Sequence, residues 1–282
     1  TAKKTMVVAQ QLYEGIEVGE EGVTGLITYM RTDSVRISAG ALDEARKYIK
    51  EMVGGEYLPE TPNFYKNKKG AQDAHEAVRP ASVFREPRLI AQFLTREQFK
   101  LYSLIWRRFV ASQMKSAEFE VTSALIEAGD YLFRASGSRV KYRGFLVLFD
   151  SMLDEKPKEG GKAREDGGDL NGIEYIDEGD GGDAGRKENG DAESRLLPEL
   201  KQGETLALVR ADAKQNFTAP PARYTDASLV KALEKYNIGR PSTYAPTIST
   251  IQDRGYVHRQ EGKLVPSELG FLVCDILVKH FP

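Results

Sequence analysis

Residues 227–257 read ASLVKALEKYNIGRPSTYAPTISTIQDRGYV, and this stretch decides the fold class of the C-terminal part of the chain. Its apolar spacing predicts one helix over 226–236 and a second over 242–254. Gly239 between these helices and Gly255 after them are typical of turns that separate and end helices. The stretch therefore predicts two short helices joined by a glycine turn.

Polar and basic side chains lie at both ends of the second predicted helix. Arg240, Ser242 and Thr243 stand at its N-terminus, where free backbone N–H groups and the helix dipole attract phosphate. Arg254 stands at its far end. The same residues are compatible with a capped helix pair that carries solvated charges. Because a predicted hairpin over 256–265 and another helix follow, a winged helix-turn-helix domain that binds a DNA major groove is a competing interpretation.

The N-terminal part of the chain is also predicted to be helical. Residues 1–13 have amphipathic spacing from the first residue, so we expect the chain to be an internal part of a longer protein. Residues 42–52 follow Ser38 as a capping residue, and residues 96–111 follow a Thr-x-x-Gln capping box.

Residues 114–222 are predicted to be mainly β structure. Runs rich in β-branched and aromatic residues alternate there with glycine turns. The predicted strands are 118–127, 131–136, 142–150 and 204–210. Residues 154–195 instead combine acidic residues with glycine pairs, and we expect them to form a flexible surface insert.

The charge of the chain is uneven although its formal net charge is only −2. Residues 1–149 have 22 Lys and Arg against 18 Asp and Glu, which gives +4, and residues 206–282 have 10 against 7, which gives +3. Residues 150–205 have 8 against 17, which gives −9. The acidity is therefore local, and it does not exclude a nucleic-acid partner for the rest of the chain.

Composition excludes several classes of protein. No apolar run approaches the roughly 20 residues that span a bilayer, so we expect a soluble cytoplasmic protein without a membrane span. The chain contains one cysteine, Cys274, and three histidines, which excludes a disulfide scaffold and cysteine-rich zinc modules.

Tyr29 and Arg31 stand two residues apart in GLITYMR (25–31), which is predicted to be a short strand. Alternate strand residues share a face, so the guanidinium would lie near whatever the phenol contacts. A phenol is a weak nucleophile until a cation stabilises the phenolate, and arginine binds phosphate oxygens in a bidentate way. The pattern indicates phosphoryl transfer, but a tyrosine in a strand is also typical of a half-buried packing residue.

Residues 72–80, QDAHEAVRP, form the third candidate motif. If this segment is helical, His75 and Arg79 lie on one face, and the final proline ends the helix. A histidine beside a phosphate could donate a hydrogen bond or a positive charge, and a surface histidine at a helix end is the alternative. Asp73 and Glu76 beside His75 also allow a metal site, but they lack the further ligands that a transition metal needs.

Together these motifs, in this order, resemble the type IA DNA topoisomerases, and within them the bacterial topoisomerase I branch. The segments that carry the resemblance are KKTMVVAQQLYE (3–14), GLITYMRTDS (25–34), QDAHEAVRPA (72–81), NFTAPPARYTDASLVKALEKYNIGRPSTYAPTISTIQDRGYV (216–257) and LVPSELG (264–270). The resemblance extends over nearly the whole chain except the acidic insert. The winged-helix interpretation is displaced by this resemblance.

The resemblance implies a role for each candidate residue. Tyr29 would form a transient 5′-phosphotyrosyl bond with one DNA strand, and Arg31 would position and stabilise the phosphate. His75 would lie near the backbone at the cleavage site, and the C-terminal helices would hold the single strand that leads to the tyrosine. The candidate DNA-binding residues are His75, Arg79, Arg240, Ser242, Thr243 and Arg254.

The resemblance also implies an α+β, multidomain architecture that forms part of a toroid. Residues 1–113 would form a helical domain with the tyrosine, 114–222 part of a mainly β arch, and 223–282 part of a helical domain that binds single-stranded DNA. The family's Asp-x-Asp metal motif does not occur in this chain, so we expect Mg²⁺ to be bound in the intact enzyme by residues outside it. We expect a monomer that relaxes negatively supercoiled DNA, and an inactive isolated chain.

Two other functions remain open. A non-catalytic module that binds single-stranded DNA on the same scaffold would retain the binding residues and lose the chemistry of Tyr29. A tyrosine recombinase also combines Tyr with Arg and His, but it places the tyrosine after the basic residues, whereas Tyr29 here precedes them.

Overall fold

The chain divides into two compact units. The computed structural model describes residues 1–67, 75–149, 197–213 and 215–281. One unit combines Thr1–Ser116 with Leu208–Pro282, and the other is Ala117–Ala207. The prediction of mixed helix and sheet is confirmed. The three domains with their roles and the toroid remain predictions, and the acidic insert over 154–195 lies outside the described residues.

Three helices form the N-terminal part, and all three were predicted. They are α1 (Ala2–Glu14), α2 (Ala39–Tyr48) and α3 (Arg96–Ser112). α3 begins with the predicted capping box, in which Thr95 and Gln98 satisfy each other's backbone N–H groups. Ser38 precedes α2 but its side chain makes no capping bond, and α2 continues into a π-helical turn over Ile49–Val53.

The core of this part lies between α1, α2 and α3. Leu12, Ala45 and Val110 are fully buried. The polar ends of two buried aromatic side chains are also satisfied, since the hydroxyl of Tyr102 donates to the carbonyl of Arg85 at 2.7 Å and the indole N–H of Trp106 donates to Val83 at 2.8 Å. These bonds fix the segment after residue 81 to α3, because an unmade buried hydrogen bond would be costly.

The strand predicted over 25–31 is wrong. A short ladder instead joins β1 (Ile16–Glu17) to β2 (Val23–Thr24), and beyond it only Ile27 forms a bridge, antiparallel to Pro80. The ladder ends there because the N–H of Arg79 donates to the Thr28 hydroxyl and the N–H of Leu26 donates to the carbonyl of Leu12, so neither reaches the carbonyl across the bridge. The segment that contains the candidate tyrosine is therefore a loop with a single β-bridge.

The second unit contains a long hairpin of β3 (Glu118–Ala128) and β4 (Tyr131–Tyr142), which turns at Gly129. The predicted strands over 118–127 and 131–136 are confirmed, and the second is longer than predicted. The strand predicted over 142–150 is wrong, because residues 144–149 are helical. This helical segment begins at Gly144, which has a φ of +48°.

The C-terminal part follows the predicted order of helix, helix, hairpin and helix. Its elements are α4 (Asp226–Lys235), α5 (Tyr244–Asp253), β5 (Val257–Gln260), β6 (Lys263–Pro266) and α6 (Glu268–His280). α5 contacts both α1 and α4, which brings this part back onto the N-terminal helices. The strand predicted over 204–210 does not form.

Across the described ranges, no helix has the length and apolar character needed to cross a membrane.

Candidate nucleic-acid site

Tyr29 lies in the loop after the Ile27 bridge, with 38% of its surface exposed. Its ring meets the ring of Tyr13 edge-on at a centroid distance of 5.4 Å, and it meets the imidazole of His75 edge-on at 6.1 Å. Tyr13 belongs to the last turn of α1 and His75 to the segment after residue 74. Tyr29 thus contacts two rings and keeps more than a third of its surface exposed.

Two backbone contacts just before Tyr29 fix its position, one to α1 and one to the segment that contains Arg79. The N–H of Leu26 donates to the carbonyl of Leu12 at 2.7 Å, which ties the loop to α1. Gly25 allows this approach, because a Cβ atom there would lie 2.9 Å from the carbonyl oxygen of Tyr13. Thr28 makes the next contact, since its N–H donates to the carbonyl of Arg79 at 2.9 Å.

The segment around His75 is not helical, so the prediction that His75 and Arg79 share a helix face is wrong for the described residues 75–79. The antiparallel contacts with residues 26–28 replace the helix. His75 and Tyr29 are brought together by this pairing of segments, and Arg79 is directed elsewhere. Its side chain is only 13% exposed and forms an ion pair with Glu76 at 3.0 Å.

Glu76 is the electrostatic centre of this segment. Its carboxylate accepts from the backbone N–H of Ser38 at 2.7 Å and from the guanidinium of Arg79 at 3.0 Å. Burial alone would raise the pKa of Glu76, but these hydrogen bonds and the charge of Arg79 outweigh it and hold the pKa below its ordinary value. The carboxylate is therefore ionised at neutral pH and committed to internal contacts.

Arg31 is exposed, and it makes no hydrogen bond or ion pair with any residue that the structure describes. The expectation that it shares a strand face with Tyr29 loses its basis, because residues 25–31 are a loop. Its exposed guanidinium, two residues from Tyr29, remains open to an anion in solution.

An ion pair joins the tyrosine loop to the turn before α5. The guanidinium of Arg240 lies 3.9 Å from the carboxylate of Asp33, and the Arg240 side chain is 66% exposed. The turn itself is closed by Thr243, whose hydroxyl accepts from the N–H of Arg240 at 2.8 Å. Gly239 adopts a φ of +81° there, and an added Cβ would lie 2.7 Å from the Thr243 hydroxyl. The tyrosine motif over residues 25–34 and the helix pair over residues 227–257 thus meet.

The other two candidates on α5 are both exposed. Ser242 lies in the turn before the helix, and Arg254 is the capping residue at its C-terminal end. The ten-residue helix separates them by about 15 Å, since an α-helix rises about 1.5 Å per residue. An extended ligand with several phosphates could contact both ends of α5, whereas a single phosphate could not.

A cavity of about 670 Å³ lies beside the tyrosine loop, between α1, α4, α5 and the hairpin of β5 and β6. Met30 lines it, as do Pro241 and Tyr244 from the start of α5. Asp226 lies at its wall and accepts from the N–H of Ala2 at 2.9 Å and from Arg259. Burial raises the pKa of Asp226, but these bonds outweigh it and the pKa falls below its ordinary value.

The sequence did not single out Tyr13, Thr28 or Asp33 as parts of the site. Tyr13 follows the apolar spacing of α1 and is indistinguishable from a packing residue there. Asp33 had a usable signal, because it is the acidic residue of a motif that otherwise contains candidate phosphate ligands. Thr28 had none, since its role depends on a segment about 50 residues away.

Among the described residues, no group of three or more His, Cys, Asp and Glu side chains could hold a metal ion. Glu76 is engaged by Ser38 and Arg79, and Asp73 lies outside the described residues. The residues around Tyr29 therefore do not fit a metal site of their own.

The structure thus places a partly exposed tyrosine beside a histidine, with exposed arginines before α5 and at its C-terminal end. A family model for DNA topoisomerases matches residues 1–282, and the chain belongs to this family, the bacterial type IA topoisomerases.

Among solved structures the chain is similar to full-length topoisomerase I from Thermotoga maritima. The two are 34% identical with a TM-score of 0.69, and the match covers 99% of this chain and 39% of that one. The chain therefore spans about two fifths of the length of this relative.

Proposed function

We propose that this chain provides the cleavage and religation tyrosine, together with part of the single-strand binding surface, of a type IA DNA topoisomerase. The observation that supports this most directly is the half-exposed ring of Tyr29, packed edge-on between Tyr13 and His75. Family membership supports the reaction class.

In the proposed reaction the phenol oxygen of Tyr29 attacks a backbone phosphorus of one DNA strand. A bond forms between that oxygen and phosphorus, the bond from phosphorus to the 3′ oxygen breaks, and the 3′ oxygen leaves as a hydroxyl with one proton. The phenol gives up one proton, so protons balance. One phosphodiester replaces another, and attack by the 3′ hydroxyl reverses the step without ATP.

Arg31 and His75 would act on the phosphate between these two oxygens. Phosphoryl transfer depends mainly on positioning and on the stabilisation of charge on the phosphate oxygens. The exposed guanidinium of Arg31 could bind those oxygens, and His75, next to the Tyr29 ring, could donate a hydrogen bond to them. Arg240, Ser242 and Arg254 would hold the strand along α5.

The complete activity is proposed for a longer enzyme. Mg²⁺ would supply further compensation of phosphate charge when bound, but the described residues do not fit a site for it and no step here depends on it. In that enzyme the reaction would relax negatively supercoiled DNA in the cytoplasm, through strand passage by a monomer. Its substrate would be a single-stranded segment of the duplex.

Two measurements test the proposal. Covalent adduct between intact enzyme and end-labelled single-stranded DNA should be absent from Tyr29→Phe, whereas DNA affinity should remain. If Tyr29→Phe forms adduct normally, the nucleophile is another residue. If wild type binds DNA but never forms adduct, a non-catalytic binding module is the better assignment.

The chain itself should bind single-stranded DNA better than duplex, with marked salt dependence, because phosphate contacts release counterions. Titrations of both forms at two salt concentrations measure this. Equal affinity for duplex, or an affinity independent of salt, would contradict the proposed binding surface.

A further inference from the structure

The guanidinium of Arg79 is turned into the protein, unlike those of the other candidate arginines. Its Nη2 donates to Glu76 and its Nη1 donates to the carbonyl of Pro80, both at 3.0 Å. The side chain is 13% exposed, whereas that of Arg240 is 66% exposed. A phosphate that took the Nη2 group would displace its bond to Glu76, and this partly buried carboxylate would keep only its contact with Ser38.

The contacts of Arg79 belong to a hydrogen-bond network that includes Thr28, next to Tyr29 in the chain, and Glu76, next to His75. Thr28 directly precedes Tyr29, and its hydroxyl donates to the carbonyl of Ala77 at 2.7 Å and accepts from the N–H of Arg79 at 3.0 Å. Glu76 directly follows His75 and joins Arg79 to the start of α2.

This network has a geometric consequence. Two backbone segments about 50 residues apart are held in register, because the side chain of Thr28 in one segment bonds two backbone groups of the other. Without the Thr28 hydroxyl, the carbonyl of Ala77 and the N–H of Arg79 lose partners in a half-buried place. The segment that carries His75 would then be held to the tyrosine loop by backbone bonds alone, such as the one from the Thr28 N–H to the Arg79 carbonyl, and could shift relative to it.

We propose that Thr28, Glu76 and Arg79 are positioning residues that hold the His75 imidazole against the Tyr29 ring, and that Arg79 does not bind DNA. The catalytic meaning of this inference rests on the proposed function, but the geometry itself is testable without DNA. Arg79 was expected among the DNA-binding residues, and the inference assigns it a different task.

The first test is NMR of the histidine ring protons in the chain. Three histidines give three sets of signals, and His75→Asn identifies that of His75. Tyr29→Leu should move the His75 signal by removing the ring current of the neighbouring phenol. Thr28→Val, which keeps the side-chain shape and removes the hydroxyl, should move it in the same direction.

Two further variants complete this test. Arg79→Lys should also move the His75 signal, because an ammonium cannot make both bonds of the guanidinium fork. Thr24→Val is the matched control, since among the described residues the Thr24 hydroxyl bonds the Glu21–Gly22 turn alone, and it should leave the signal in place. Fluorescence of Trp106, the only tryptophan, shows that each variant is folded.

The second test is the salt dependence of binding to single-stranded DNA. Arg79→Gln should leave the slope of log affinity against log salt unchanged. Arg240→Gln should reduce the slope by about 0.7, the value for one phosphate contact on a single strand. An equal reduction by Arg79→Gln would make Arg79 a phosphate ligand and overturn its assignment.

The proposal is also overturned if Tyr29→Leu moves the His75 signal while folded Thr28→Val and Arg79→Lys do not. It fails as well if Tyr29→Leu leaves that signal in place, because the rings would not be in contact. Failure of the proposed function is seen separately, as adduct formation that survives Tyr29→Phe in the intact enzyme. The NMR result does not depend on that outcome.

Discussion

The Asp33–Arg240 ion pair predicts that a substitution in the proposed binding site will increase DNA affinity, whereas most substitutions in a binding site decrease it. Arg240 is proposed to bind DNA phosphate, yet its guanidinium lies 3.9 Å from the carboxylate of Asp33. Phosphate must compete with this carboxylate for the same donor. Asp33→Asn should therefore increase the affinity for single-stranded DNA.

The exposure of the pair limits the size of this effect. The side chain of Arg240 is 66% exposed and that of Asp33 is 27% exposed, so solvent screens their attraction. Exposed pairs of this kind contribute about 0.2–1 kcal/mol. Since about 1.4 kcal/mol corresponds to a tenfold change in affinity, the increase should be about 1.4-fold to 5-fold. It should shrink at high salt.

Fluorescence anisotropy with a labelled oligonucleotide measures this change, and Arg240→Gln tests its origin. In the Arg240→Gln background, Asp33→Asn should produce a much smaller increase, because the carboxylate no longer competes for a guanidinium. Asp130→Asn, in the hairpin turn of the other unit, controls for the loss of one negative charge. A decrease in affinity in Asp33→Asn would refute the competition and make Asp33 a residue that orients Arg240 for binding.

Three further predictions concern the chain itself. It should form no appreciable covalent adduct with labelled DNA and Mg²⁺, because the groups that act on the leaving oxygen are proposed to lie elsewhere in the enzyme. Abundant adduct with the wild-type chain that disappears in Tyr29→Phe would refute this. Because the pKa of Glu76 is lowered in the folded chain, its ionised carboxylate stabilises the fold at pH values above the ordinary pKa of 4.5, and this stabilisation is lost as the pH falls through the folded pKa. Urea unfolding at pH 7 and pH 4 should therefore show less acid destabilisation in Glu76→Gln than in wild type. Gly239→Ala should lower stability by about 1–3 kcal/mol in thermal unfolding, and by more than Gly203→Ala, which has a similar φ but no atom within 4 Å of the added Cβ; equal losses would rule out the clash with Thr243.

The helices could be predicted from the sequence because their signals are local. The capping box at Thr95 lies within one turn of chain, and the apolar periodicity of α1 and α3 is contained within each helix. The same holds for the helix pair around Gly239, where one glycine in a left-handed conformation separates the helices. In each case the residues that determine the element lie inside it or next to it.

The tyrosine loop could not be predicted in the same way. Its residues have the β-branched and aromatic character of a strand, but a strand needs a backbone ladder. The N–H groups that would extend the ladder, those of Leu26 and Arg79, instead donate to the Leu12 carbonyl and the Thr28 hydroxyl. The pairing of residues 26–28 with 77–81 is set about 50 residues away in sequence. The contact between Tyr29 and His75 follows from that pairing, so periodicity could not reveal it.

The candidate arginines illustrate the same limit. The sequence placed Arg79 and Arg240 in one class of DNA-binding residues, because both follow motifs that resemble the family. The structure separates them by environment, since Arg79 is paired inside the protein and Arg240 is largely exposed. Whether an arginine is available to a ligand depends on its tertiary partners, which no local pattern specifies.

The central claim is that Tyr29 is the nucleophile, and mass spectrometry of the trapped adduct tests it most directly. Tyr13 is the informative competitor, because its ring lies 5.4 Å from that of Tyr29 and it is 40% exposed against 38%. Trypsin releases both in one peptide, residues 5–31, since no Lys or Arg lies between Lys4 and Arg31. Fragmentation of that peptide from intact enzyme treated with single-stranded DNA and nuclease should place the nucleotide on Tyr29. A nucleotide on Tyr13, or on any peptide outside residues 5–31, would contradict the account.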